Sequence, residues 1–154
     1  YLYGEMTLAD HLRYIAELYG VADIEKAVAD AITLVDLADQ DEKIIKTMSK
    51  GQRRRAAIAK TLVHDPRLVI LDELTSGLDP VSARKMFDTV RDLKARGKTI
   101  IFSTHTLDEA VKLCDRILII DKAEVKALGA MQDILEQTGK DSLEDAFFAL
   151  VGTP

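Results

Sequence analysis

The 154-residue chain contains a single cysteine, Cys114, so no intrachain disulfide can form and a reducing, cytosolic setting is expected. Long apolar runs are also missing. The longest, Ala146 to Val151, falls far short of the roughly 20 residues that a membrane-spanning helix needs. No basic segment followed by an apolar stretch stands at the start, so nothing there reads as a secretory leader. Positive charge is in deficit: 21 Lys and Arg oppose 26 Asp and Glu, a net charge of −5. Such a chain has no overall attraction to nucleic acid or to an anionic bilayer, and no nucleic-acid partner is expected. With only 8 glycines and 3 prolines, no low-complexity linker divides it. What is present, 47% hydrophobic and 31% charged residues, is ordinary globular composition that excludes disorder and repeat arrays.

The first part reads as helices. Thr7 is placed to cap a helix with Asp10 in its first turn, apolar Leu8, Leu12, Ile15 and Leu18 follow at helical spacing, and Gly20 supplies a left-handed stop. A second helix is predicted from Ile24 to about Leu37. A third opens at Ser49, with Gln52 three positions on, and ends before His64-Asp65-Pro66. From Arg67 the period changes: Leu68-Val69-Ile70-Leu71, Thr99-Ile100-Ile101-Phe102 and Ile117-Leu118-Ile119-Ile120 are short continuous apolar runs, which suit strands buried on both faces of a parallel sheet. Between them, one helix opens at Asp79-Pro80 and closes at Gly97, and another opens at Thr106 with Glu109 as capping-box partner. A short strand near Val125 to Leu128 and two helices, near Met131 to Gln137 and Leu143 to Leu150, complete an α/β pattern.

The first chemical feature is Leu68-Val69-Ile70-Leu71-Asp72-Glu73. A buried strand ending in two adjacent carboxylates projects them at the carboxyl edge of a parallel sheet, where ligands bind in open α/β folds. Taken alone, the pair is equally well read as capping the next loop. Thr75-Ser76-Gly77-Leu78-Asp79-Pro80 extends the segment, and the second strand ends in Ser103-Thr104-His105. Upstream, Ser49 and Gln52 form an ordinary capping box, yet a helix N-terminus with Gly51 beside it is also an anion site; both readings can hold together. Arg53-Arg54-Arg55 point in different directions from one helical turn with no aromatic platform, which favours a solvated face with local salt bridges over nucleic-acid binding. His11 and His64 are expected to be solvent-exposed, and Cys114, Phe147 and Phe148 to be packing residues.

Together these segments resemble the ATP-binding cassette ATPase family over essentially the whole chain. Met48-Ser49-Lys50-Gly51-Gln52 resembles the family signature L-S-G-G-Q, Leu68 to Glu73 its Walker B strand, Ser76 to Asp79 its D-loop and His105 its switch histidine. The resemblance implies a P-loop NTPase-like cassette, with a helical subdomain at residues 1–65, the C-terminal half of a RecA-like core at 66–129 and a helical tail at 130–154. It implies ATP and Mg²⁺ as ligands. Asp72 would hold Mg²⁺ through coordinated water, Glu73 would be the general base for the attacking water, and His105 would contact the γ-phosphate. Ser49, Lys50, Gly51 and Gln52 would close over the nucleotide of a second ATPase subunit, and Asp79 would couple the two sites. Such a subunit would work under separate transmembrane permease subunits at the inner face of the cell membrane, associated with the membrane only through them. Export of sodium or drug-like solutes is the implied process.

The sequence departs from the family pattern in several places. No G-x-x-x-x-G-K-[ST] occurs anywhere, so the glycine cradle and lysine for the phosphates are missing. With Tyr1 in place of a starting Met, the chain reads as the C-terminal part of a cassette, inactive by itself. Lys50 replaces the first signature glycine, Leu74 replaces the usual proline after the glutamate, and Ala123 stands where a turn glycine is common. Two rival readings stay open: a non-catalytic chain that lends signature and D-loop surfaces to a partner, and a soluble cassette ATPase with no transport role.

Overall fold

The computed structural model describes residues 2–152; Tyr1, on which the expectation of an upstream segment rests, lies outside the described residues. The chain forms two compact units, residues 1–103 and 104–154, each with its own framework.

The first unit begins with three helices, α1 (Leu8–Leu18), α2 (Ile24–Leu34) and α3 (Lys50–Leu62), with short 3₁₀ turns at Ala38–Gln40 and Ile45–Thr47. Their starts are set locally. Thr7 Oγ1 accepts the Asp10 N–H at 3.1 Å, Asp23 Oδ1 accepts that of Lys26 at 3.1 Å, and Ser49 caps α3. Leu8, Leu12, Val28, Ala31, Ala56 and Ala59 are among the apolar positions buried between these helices. α2 stops three residues short of the expected Leu37. Asp36 turns left-handed at φ +55°, and the amides of Asp36 and Leu37 donate back to Thr33 O and Ile32 O, which closes a Schellman motif without glycine.

The unit then enters β1 (Leu68–Leu71), α4 (Pro80–Ala95) and β2 (Thr99–Phe102). β1 and β2 pair in parallel with Leu68 opposite Thr99 and Leu71 opposite Phe102, with α4 as the connection between them. α4 starts with Pro80 at its first position and buries Met86, Val90 and Leu93. Burial on both faces is not what β1 shows: Val69 and Leu71 are buried, whereas Leu68 and Ile70 are 47% and 67% exposed. A continuous apolar run permits two covered faces but does not supply the second cover.

In the second unit, α5 (Leu107–Leu113) leads to β3 (Ile117–Asp121), β4 (Glu124–Gly129), α6 (Met131–Thr138) and α7 (Leu143–Val151). The third apolar run does not extend the parallel pair; β3 pairs antiparallel with β4 across a two-residue turn. Lys122 and Ala123 both adopt positive φ there, as a type I′ turn demands. Ile117, Ile119, Ala127, Ile134, Leu143 and Ala146 form this unit's core, with Cys114 and Phe147 packed against it. The expected Thr106–Glu109 capping box is absent: the Thr106 side chain makes no cap bond, and Glu109 is buried instead. Among the described residues no helix is long and apolar enough to cross a membrane.

Candidate functional site

The register of the parallel pair builds the first part of the site. With Leu71 opposite Phe102, the next residues along each strand, Asp72 and Ser103, emerge side by side at the carboxyl edge. Ser103 Oγ donates to Asp72 Oδ1 and accepts the Glu73 N–H at 3.1 Å. Glu73 stands at φ +46°, a left-handed turn that ends the strand abruptly and leaves both carboxylates exposed, while Leu74 behind them is buried. Ser103 was not singled out in the sequence; the signal for it was the parallel register.

The second part is the start of α3. Ser49 Oγ accepts the Gln52 N–H at 3.2 Å and Gln52 Oε1 accepts the Ser49 N–H at 2.9 Å, so the capping box is complete. Gln52 is held further by Lys43 Nζ and by Gln40 Oε1, each at 3.3 Å. The remaining N–H groups of the first turn and the positive end of the helix dipole leave this start suited to an anion. It lies against the segment that opens α4. A Cβ placed on Gly51 would meet Ser82 Oγ at 2.7 Å, and one on Gly77 would collide with Lys50 Nζ. Asp79 caps α4, with Oδ1 accepting from the amides of Val81 and Ser82 at 3.0 Å each and Oδ2 from Ser82 Oγ at 2.7 Å. The Ser82 hydroxyl, aided by these amides, holds the Asp79 carboxyl below its ordinary pKa.

Ser49, Lys50, Gly51 and Asp79 are thus gathered around Gly77 and Ser82, and Asp72 and Glu73 around Ser103. His105 lies exposed on the segment before α5, in the second unit.

Three expectations about basic residues change. Arg53, Arg54 and Arg55 diverge, Arg53 is exposed and Arg55 makes an ion pair with Asp36, but the three are also tied to backbone: Arg53 Nη1 donates to Met48 O at 2.5 Å, and Arg54 Nη2 donates to the carbonyls of Asp72 and Glu73. Arg55 is buried, and its Nη1 donates to Asp36 O at 2.9 Å and Oδ2 at 3.1 Å, satisfying carbonyls at the end of α2. His11 is fully buried, edge-on to Tyr3, and His64 stacks on Tyr19 with ring centroids 3.9 Å apart, so neither is the exposed residue expected. Burial lowers both imidazole pKa values. Phe148 remains 42% exposed, in edge contact with Phe147.

The donor set decides what cation fits. Among the described residues no cluster of three or more His, Cys, Asp or Glu forms a cage. One strand-end carboxylate oriented by a hydroxyl, with a second carboxylate next to it, suits Mg²⁺, which keeps most of its water and takes phosphate oxygens from its nucleotide.

The fold is that of an ATP-binding cassette ATPase. A solved structure titled as the ATP-binding subunit of an ABC transporter superposes on 97% of this chain with a TM-score of 0.85 and 32% identity, the chain covering 64% of it. The profile described as ABC transporter matches residues 1–76. The linearmycin resistance ATP-binding protein of Bacillus subtilis is 35% identical over 144 residues, 92% of this chain and 46% of that protein. A fluoroquinolones export ATP-binding protein of Mycobacterium tuberculosis is 39% identical over 132 residues, 86% of this chain and 43% of that protein. The chain belongs to the ATP-binding cassette transporter family. It spans about half the length of these two curated relatives.

Proposed function

We propose that the chain is part of the ATP-hydrolysing motor subunit of a transporter that exports a drug-like solute or sodium through separate membrane subunits. The observation that most supports this is the juxtaposition, within one compact unit, of the Asp72–Glu73 strand end and the capped start of α3 packed on the Asp79 segment. The export character rests on the relatives named for drug export and resistance.

In this reading residues 1–65 act as the helical subdomain, 66–129 as the C-terminal half of the core and 130–154 as a helical tail. Asp72, held by Ser103, would bind hydrated Mg²⁺, which when bound neutralises phosphate charge. Glu73 takes a proton from the water that attacks the γ-phosphate, and His105 donates a hydrogen bond to that phosphate. Ser49, Lys50, Gly51 and Gln52 present the α3 start to the nucleotide of a second ATPase subunit, and Asp79 links the two sites. The subunit sits on the cytoplasmic side, joined to the membrane through its permease partners. The glycine loop that cradles phosphates is not in this sequence, so the chain by itself is expected to hydrolyse ATP negligibly.

Mixed dimers of the complete cassette test the arrangement. With Ser49→Arg in one copy and Glu73→Gln in the other, both lesions fall on one composite site and the second site keeps turning over. With both substitutions in one copy, both sites are damaged. More activity from the same-copy arrangement, with nucleotide occupancy measured at each site, would contradict a signature acting across the dimer.

A further inference from the structure

Of the three arginines after Gln52, Arg54 alone reaches the strand end. Its Nη2 donates to the backbone carbonyls of Asp72 and of Glu73, the latter at 2.6 Å. Ser103 Oγ accepts the amide of Glu73, and the amide of Ser76 donates to the Glu73 carbonyl at 3.2 Å. Glu73 therefore has both ends of its backbone fixed at φ +46°, a region that a residue with a Cβ occupies only when its surroundings hold it there. Chain stiffness does not supply the restraint, since Leu74 and not proline follows.

We propose that Arg54 is a positioning residue: it holds the turn after β1 in its left-handed form, aims the Glu73 carboxylate, and ties that turn to the helix that begins at Ser49. The proposal rests on the reading of Glu73 as general base. Nη2 carries two hydrogens on a rigid, planar guanidinium, and hydrogen bonds from a charged donor are stronger than neutral ones. One side chain can thus serve two successive carbonyls, which a lysine ammonium on a flexible stem reproduces only in part. If these bonds are lost, Glu73 relaxes toward ordinary negative φ and its carboxylate moves. The surfaces that bind nucleotide, at Ser49, Gly51 and Asp79, keep their own caps. The loss should fall on kcat and spare KM, because a displacement of about 1 Å in a reacting group costs as much as 10²-fold. Since Ser49 and Arg54 share α3, any shift of that helix on engaging a second subunit's nucleotide is carried to the subunit's own Glu73.

The test uses the complete cassette with its membrane subunits, with Glu73→Gln as the control for the base. Arg54→Ala is expected to lower kcat by roughly 10- to 100-fold while KM for ATP changes by less than about twofold, and Arg54→Lys to recover part of the loss. In the 154-residue chain, hydrogen exchange at the Glu73 amide should quicken in Arg54→Ala while the interior amides of α3 stay protected. Arg54→Gln, which keeps an amide donor and most of the volume, decides the matter if the alanine variant unfolds. A kcat unchanged by Arg54→Ala or Arg54→Gln, where Glu73→Gln abolishes turnover, overturns this proposal and leaves the base assignment standing. A rise in KM at constant kcat also overturns it. Full turnover by Glu73→Gln removes the base assignment and the proposal together.

Discussion

Gly51 in the first turn of α3 lies directly against Ser82 in the first turn of α4, so close that a Cβ on the glycine would sit 2.7 Å from the serine hydroxyl. That hydroxyl is the 2.7 Å donor to Asp79, so the contact joins the two helix starts that frame the candidate anion site. Gly51 has an ordinary helical backbone; it is the approach of α4 that requires the missing side chain.

Gly51→Ala should therefore destabilise despite alanine's better helix propensity. Overpacking costs about 1–3 kcal/mol and the propensity gain is about 1 kcal/mol, so a net loss of roughly 1 kcal/mol is expected in urea unfolding. Ser82→Ala added to Gly51→Ala should return part of it by removing the colliding oxygen. A Gly51→Ala variant as stable as the wild type would show that the helix starts can separate without cost.

His11 predicts an acid sensitivity. It is wholly buried beside Tyr3, neither ring nitrogen has a hydrogen-bond partner among the described residues, and burial, then the charge of Lys60, lower its pKa. The unfolded chain, with a pKa near 6.5, then binds more protons than the native one as pH falls. The stability this provides is fully present above the unfolded value and is lost as pH drops through 6.5 toward the folded pKa. His11→Leu should flatten the unfolding midpoint between about pH 7.5 and 5. An equally steep decline in His11→Leu would assign the sensitivity to other groups.

The β3–β4 turn offers a gain. Lys122 and Ala123 stand at φ +50° and +63°, and a left-handed backbone costs a residue with a Cβ about 1–2 kcal/mol. Glycine at the second turn position removes that strain and gives back some chain entropy, so Ala123→Gly should raise stability by about 0.5–1 kcal/mol. Thermal unfolding measures it, and a lowered midpoint would mean that Ala123 makes compensating contacts.

Where the sequence was legible, the cause was local. Thr7, Ser49 and Asp79 cap helices with partners two or three residues away, and Gly20 and Gly97 close them, so these helix starts and stops could be read from spacing. What was not legible depends on distant partners. The apolar stripe of α1 gave no sign that His11 would lie inside the core, and the run Arg53-Arg54-Arg55 gave none of which carbonyls each would find. Ser103 became meaningful only through its register against Asp72. The apolar runs at β1 and β3 by themselves do not distinguish a parallel partner from a hairpin partner, since both satisfy the same backbone groups; the hairpin between Ile120 and Val125 was legible only through the family resemblance, with Ala123 at its turn.

The most direct measurement is steady-state Mg²⁺-dependent phosphate release by the complete cassette carrying Glu73→Gln, with ATP binding measured on the same preparation. The amide keeps the shape of the side chain and loses the base. If Glu73 is that base, ATP binding is retained, turnover falls by roughly 10²–10⁴-fold, and closed ATP-loaded dimers accumulate. Turnover equal to the wild type, with a normal dimer population, would contradict the assignment.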